Sequence, residues 1–353
     1  LKKMPANAGA KLVAHADTPS RKIVVPTPTR AVMPPVTLQL SLAPSDHRLA
    51  QHILPHQIRT WRGQVAEILI TIDLHRSAGR FADGWTEGRD NILALAHSIE
   101  GARIVEVDYA APAAHAVAKE FFGGQHVPAK DHRGGPYYAY FFGLHAASHR
   151  HVLHCDADMM FGGGSATWLA EACALLEKEP DVFVTAPLPG APAADGNLSE
   201  LRGKRLAGAN LAYDFSEMSS RVFLFDRERF QMRIGALRPK MAPLRGLLLA
   251  LLEGNTPREL PERLLTAAMV QHGLRRVDFL GAAPGMWTLH PPYRCADFYQ
   301  KLPELIRRVE SGDLPVAQLG LHDVGDSLVD WSEARAQLTQ RRWWRRLAAR
   351  FCA

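Results

Sequence analysis

Between Val36 and Pro187, short apolar runs alternate with longer stretches of helical period. That alternation admits little besides a mostly parallel sheet with helices on both faces. Val36-Thr37-Leu38-Gln39-Leu40-Ser41-Leu42 alternates as a strand does, and Ala43-Pro44-Ser45-Asp46 breaks it. Leu49, Ile53, Leu54, Ile58 and Trp61 then repeat at helical spacing. Residues 67–74 and 102–107 read as the second and third strands, with a helix over 91–99 between them. A helix closing at 117–122 and ended by Gly123-Gly124 precedes a polar turn at 130–136. The next helix is expected to begin at Pro136, with Tyr137, Tyr140, Phe141 and Leu144 as its apolar face. A strand at 151–155, a helix capped by Ser165 and stopped by Pro180, and a strand at 181–187 complete the series.

The stretch at 151–164 reads HVLHCDADMMFGGG. A buried strand that ends on an acidic pair lies where open α/β sheets usually place a ligand. Asp156 and Asp158, one residue apart, can reach one hard cation directly or through water, and Mg²⁺ or Mn²⁺ would in turn grip a diphosphate. Zinc is a weaker option for the nearby His145, His149, His151 and His154, because strand alternation sends His151 and Cys155 to one face and His154 and Asp156 to the other.

Asp156-Ala157-Asp158 after an apolar strand resembles the DxD motif of nucleotide-sugar glycosyltransferases of the GT-A fold. Over about 36–190, and more loosely to His290, the order of elements is similar to that of family 2 of these enzymes. The resemblance implies a three-layer αβα sandwich with a mostly parallel central sheet and further C-terminal helices. It implies that Ser41 and Pro44 sit beside the base and ribose and that Asp73 accepts a hydrogen bond from a uracil or guanine ring. Arg133 would lie near the diphosphate, and His290, after the last strand, would be the third metal ligand beside Asp156 and Asp158.

The second half of such a domain handles the acceptor. Residues 190–208 read as a loop, expected to act as a flap over the donor. A strand at 219–225 followed by Asp226-Arg227-Glu228-Arg229 is similar to the family's acceptor-lining segment, and Asp214 and Glu217 are secondary candidates nearby. A helix over 260–273 has Pro261 in its first turn, Leu264, Leu265, Ala268 and Met269 on one face and Gly273 as its stop. The family often opens this helix with Glu-Asp, the aspartate being the catalytic base; here those places hold Pro261 and Glu262. Glu262 can take a proton if it is desolvated, though a glutamate in a first turn also suits the helix dipole.

The net charge of +6 belongs to the two ends, and the body between them is mildly acidic, which argues against a nucleic-acid binder. Four cysteines lie far apart with no C-x-x-C pair, which fits a reducing compartment. No apolar run approaches the ~20 residues of a membrane span. The expected location is therefore the cytoplasm or the inner face of its membrane. At 341–351, Trp343, Trp344, Leu347, Ala348 and Phe351 oppose Arg341, Arg342, Arg345, Arg346 and Arg350, the composition of an interfacial helix on anionic lipid or of a terminal helix docked on protein. His322, Asp323, Asp326 and Asp330 either fold back near the site or lie on the surface.

The expected organisation is a basic leader (1–34), a donor half (35–190), an acceptor half (191–293), an extension (294–330) and the basic helix (331–353). The expected activity is metal-dependent transfer of a sugar from a UDP- or GDP-linked donor to the hydroxyl of a glycan, lipid-linked or small-molecule acceptor, with inversion if Glu262 is the base. Two alternatives are a nucleotidyltransferase, which lacks its glycine-rich basic loop at 41–46, and an inactive membrane-surface adaptor.

Overall fold

The computed structural model describes residues 33–77, 84–199, 201–208 and 211–340. Most of the leader and the arginine-rich stretch 341–351 lie outside them. Four parallel strands form the first half of the sheet: β1 (Val36–Leu42), β2 (Glu67–Ile72), β3 (Ala102–Glu106) and β4 (His151–Asp156). The order is β3-β2-β1-β4, then β9 (Val222–Asp226), β6 (Val182–Pro189), β10 (Arg275–Phe279), β8 (Ala212–Phe215) and β7 (Lys204–Arg205). β9 runs antiparallel to both β4 and β6. β5 (Met160–Gly162) and β11 (Trp287–Leu289) pair with each other as a small annex that joins the main sheet through β6.

Side-chain parity on the strands splits the interior in two. Leu38, Leu40, Leu153 and Cys155 face α1 (His47–Trp61), α2 (Trp85–His97), α5 (Trp168–Lys178) and α9 (Ala296–Ser311). Leu69, Val152 and Phe223 face α3 (Ala111–Phe122), α4 (Tyr138–Ala146), α6 (Arg227–Arg233) and α8 (Pro261–Gln271). This is the three-layer αβα sandwich expected. α10 (Ser332–Gln340) adds Ala334 to the first core. Among the described helices, α7 (Leu244–Glu253) is the one that contributes no side chain to either core.

Several boundaries move for local reasons. β2 stops at Ile72, which leaves Asp73 just beyond the sheet. α4 starts at Tyr138, not Pro136, because the preceding chain closes on itself: Lys130 bridges Pro136, and the Asp131 carboxylate accepts from the Arg133 and Gly135 amides. Ser165 does receive the Thr167 and Trp168 amides, but from two residues ahead of the cap position at Thr167. The stretch 190–208 is less open than expected. Lys204 and Arg205 pair with β8, and Gly320 ties the loop down through Ala191 and Ser199.

Candidate active site

The carboxyl ends of β1, β2 and β4 come level, with Ser41 opposite Asp156 and Leu42 opposite Ile72. The turn after β4 is pinned from below: the Gln57 amide of α1 donates to the Asp156 and Met159 carbonyls at 2.8 and 2.9 Å. Asp156 and Asp158 therefore hang over the sheet edge from a fixed backbone. The glycines that follow have a packing reason. A Cβ on Gly162 would stand 2.1 Å from the Trp287 ring, so only glycine lets the indole lie on β5. That approach brings β11, and His290 at its end, beside the acidic turn.

His290 Nε2 is 3.7 Å from Asp158 Oδ2, and its Nδ1 is 3.1 Å from Asp323 Oδ1. Arg294 bridges Asp158 at 3.4 Å and Asp46 at 2.9 Å. Burial pushes the Asp158 carboxyl up, but the positive field of His290, Arg294 and Arg221 outweighs it and holds the group below the usual carboxylate range. His154 sits beneath, 3.3 Å from Asp156 and 2.5 Å from Gln39 Oε1.

Asp156, Asp158, His290 and Arg294 open into one cleft of about 650 Å³ that also takes in Arg133, Tyr140, Arg221 and Glu262. Glu262 lies in the first turn of α8. Burial raises its pKa, with Asp156 adding to the rise, against the lowering pull of Arg221, the Ser220 amide and Arg276. Tyr140 projects from α4, and its hydroxyl is buried with no hydrogen-bond partner among the described residues. A polar atom left so in a cleft wall is one that a ligand can satisfy.

Of the residues expected at the site, Arg133, Asp156, Asp158, Glu262 and His290 line this cleft, and Ser41, Pro44 and Asp73 do not. Ser41 accepts from Gln39, and Pro44 is buried in the turn before α1. Both Asp73 oxygens are engaged: Oδ1 accepts from the Tyr109 hydroxyl and the His75 amide, and Oδ2 from Lys130 at 2.5 Å. The segment 226–229 is a correction. Because β9 is antiparallel, its last residue, Asp226, lies opposite His151 at the far edge of the sheet. There Asp226 caps α6, Arg227 pairs with Glu120, and Arg229 binds carbonyls of 176–182. The other end of β9 reaches the cleft, where the Arg221 carbonyl accepts from the Asp156 amide. Asp214 faces Arg275 and Glu217 offers its carbonyl to Arg276; neither lines the cleft.

Three of the histidines of 145–154 scatter, His145 to Glu120, His151 to Asp226 and His154 to Gln39. Among the described residues no three His, Cys, Asp or Glu side chains are gathered into a ready metal cage. The extension does fold back: Arg221 reaches His322 at 2.8 Å and Asp323 at 3.6 Å. Burial, with Arg221 and His290 beside it, lowers the His322 pKa to about 3. Asp326 instead pairs with Arg335, and Asp330 accepts from the Ser332 amide.

No family model matches the chain, and no curated protein does. Among solved structures, it is similar to glucosyl-3-phosphoglycerate synthase from Mycobacterium tuberculosis in complex with Mn²⁺, UDP and phosphoglyceric acid. That likeness has 13% identity over 78% of this chain and 77% of the other, with a TM-score of 0.37. It is also similar to mannosyltransferase PcManGT from Pyrobaculum calidifontis in complex with GDP-Man and Mn²⁺, at 16% identity over 63% and 51%, TM-score 0.32. Each likeness is to a solved structure below 20% identity. At these TM-scores it carries nothing about donor, metal or acceptor.

Proposed function

We propose that the chain transfers a sugar from a nucleoside-diphosphate sugar to an acceptor hydroxyl, with a divalent cation in the site and inversion at the anomeric carbon. The observation that carries this reading is the meeting of Asp156, Asp158, His290 and Glu262, from three separate parts of the chain, in one cleft.

The residues fit a metal. Asp158 Oδ2 and His290 Nε2, 3.7 Å apart, are a spacing that two ligands of one small ion close with little movement. Hard carboxylate oxygens with one imidazole suit Mn²⁺ or Mg²⁺ when phosphate and water complete the shell. Asp323 on Nδ1 of His290 holds the ring and leaves Nε2 facing Asp158, as partners of metal-binding histidines do. The bound ion would neutralise the departing diphosphate.

Every other part falls to the chain. Arg294 and Arg133 offer positive charge along the cleft for the same diphosphate. The nucleoside falls to Ser41, Pro44 and Asp73, which lie outside this cleft at the ends of β1 and β2, with Lys130 standing on the Asp73 carboxylate. Glu262, desolvated and therefore the stronger base once ionised, takes the acceptor's proton. Residues 35–190 then form the donor half and 191–293 the acceptor half of one domain.

The test is transfer and hydrolysis of a panel of UDP- and GDP-sugars by Asp158→Ala and Glu262→Gln. The expected outcome is loss of both activities in the first variant, and loss of transfer with retained donor binding in the second. Unchanged transfer by both refutes the assignment.

A further inference from the structure

Of the nine large apolar side chains that stand exposed among the described residues, five lie between Met241 and Leu252. Four of them belong to α7. Leu244, Leu248, Leu251 and Leu252 recur at the spacing of one helix face, and Leu251 is 80% exposed. The helix docks by its opposite side, where Gly246 and Ala250 are buried. A Cβ on Gly246 would come within 2.9 Å of Ala242 and 3.0 Å of His132, so small residues are required at that contact. An ordinary amphipathic helix turns its leucines inward; α7 turns them out.

The charges around this face have one sign. Between 238 and 263 the exposed charged residues are Arg238, Lys240, Arg245 and Arg263, all basic. The acids there are partly covered; Glu259 accepts from the Leu260 amide and faces Arg263. Arg245 stands in the first turn of α7, where the helix dipole disfavours a cation, so the helix itself gains nothing from it.

We infer that α7 is an interfacial helix that seats the molecule on an anionic lipid surface, its leucines in the acyl boundary and its basic rim on the headgroups. A second copy of the chain fits less well, because a two-fold contact through this face would set the same basic residues against one another. The inference stands apart from sugar transfer and needs no nucleotide. Leu260 and Glu262 follow α7 directly and line the cleft, so a seated α7 holds that wall of the site close to the lipid.

Co-sedimentation of the full chain with phosphatidylcholine vesicles, with and without phosphatidylglycerol, tests it. The expected result is salt-sensitive binding to the anionic vesicles alone. Leu248→Ser combined with Leu251→Ser should weaken that binding about tenfold or more, and Lys240→Glu with Arg245→Glu should abolish the preference for phosphatidylglycerol. All these positions are exposed, so melting temperatures should not move. Vesicle binding unchanged by the leucine pair, including binding lost only when the arginines of 341–351 are replaced, overturns the inference. So does a lack of binding by the unsubstituted chain, or a dimer in light scattering that the leucine pair dissociates.

Discussion

Glu262 shows what a single residue contributes here. Its pKa is raised chiefly by burial, so the fold favours the protonated form. The sign follows: as pH rises through the folded-state value, the site loses stability. Glu262→Gln should therefore melt at the same temperature or higher at pH 7 while transfer falls by about 10²–10⁴. The acid limb of the pH–rate profile, lying above the ordinary glutamate range, should vanish with it. A variant that melts several degrees lower would mark the charge as structural. The neighbours of Glu262 were less legible than the residue itself. Asp156, Asp158 and His290 were visible as residue types that hold cations. Arg294 and Arg221 carry no local signal, because each acts through groups distant in the chain: Arg294 through Asp46 and Asp158, Arg221 through His322 and Asp323. Tyr140 was read only as apolar surface of a helix, since nothing in its spacing shows that its hydroxyl ends in the cleft without a partner.

Among elements, strands and helices were legible from their periods, and strand direction was not. The run at 222–226 alternates equally well whichever way it points. Its antiparallel pairing with β4 decides that Arg221 stands at the cleft and Asp226 at the far edge of the sheet. The opposite edge of the sheet is closed by a clasp that local sequence could not reveal. Glu67, at the start of β2, accepts from Thr37 of β1, from the amide and hydroxyl of Ser148 before β4, and from Arg103 of β3. Burial would raise its pKa, but these donors outweigh burial and pull it from 4.5 to about 2. A depressed carboxylate gives stability that is present above its unfolded value and lost as pH falls from about 4.5 toward 2. The shift corresponds to no more than about 3 kcal/mol, and less in practice because Arg103 is largely solvated. Acid titration of the melting temperature should show that loss in the native chain and a flatter curve in Glu67→Gln. Equal acid sensitivity in both would show that the clasp does not couple to folding.

At the scale of the whole molecule, the two halves of the cleft come from distant parts of the chain. The carboxylates hang from β4, His290 follows β11, and Asp323 belongs to the extension that returns to hold it. No three donors are yet gathered around one point among the described residues, so a cation would meet an incomplete shell. A nucleoside diphosphate alone would meet Asp156 and Asp158, which repel it. Each ligand supplies what the other lacks, and their binding should be strongly coupled. In a melting experiment, Mn²⁺ alone and UDP or GDP alone should each move the transition little. Together, at about a hundred times the dissociation constant, they should add about 2.7 kcal/mol, a rise of roughly 4 °C for a chain of this length. Asp158→Ala should abolish the joint shift, while Glu262→Gln should retain it, because the role proposed for Glu262 is toward the acceptor and not the donor. A full shift from Mn²⁺ alone would mean that the protein cages the ion by itself. A full shift from the nucleotide alone would mean that Arg294 and Arg133 do the neutralising without a metal.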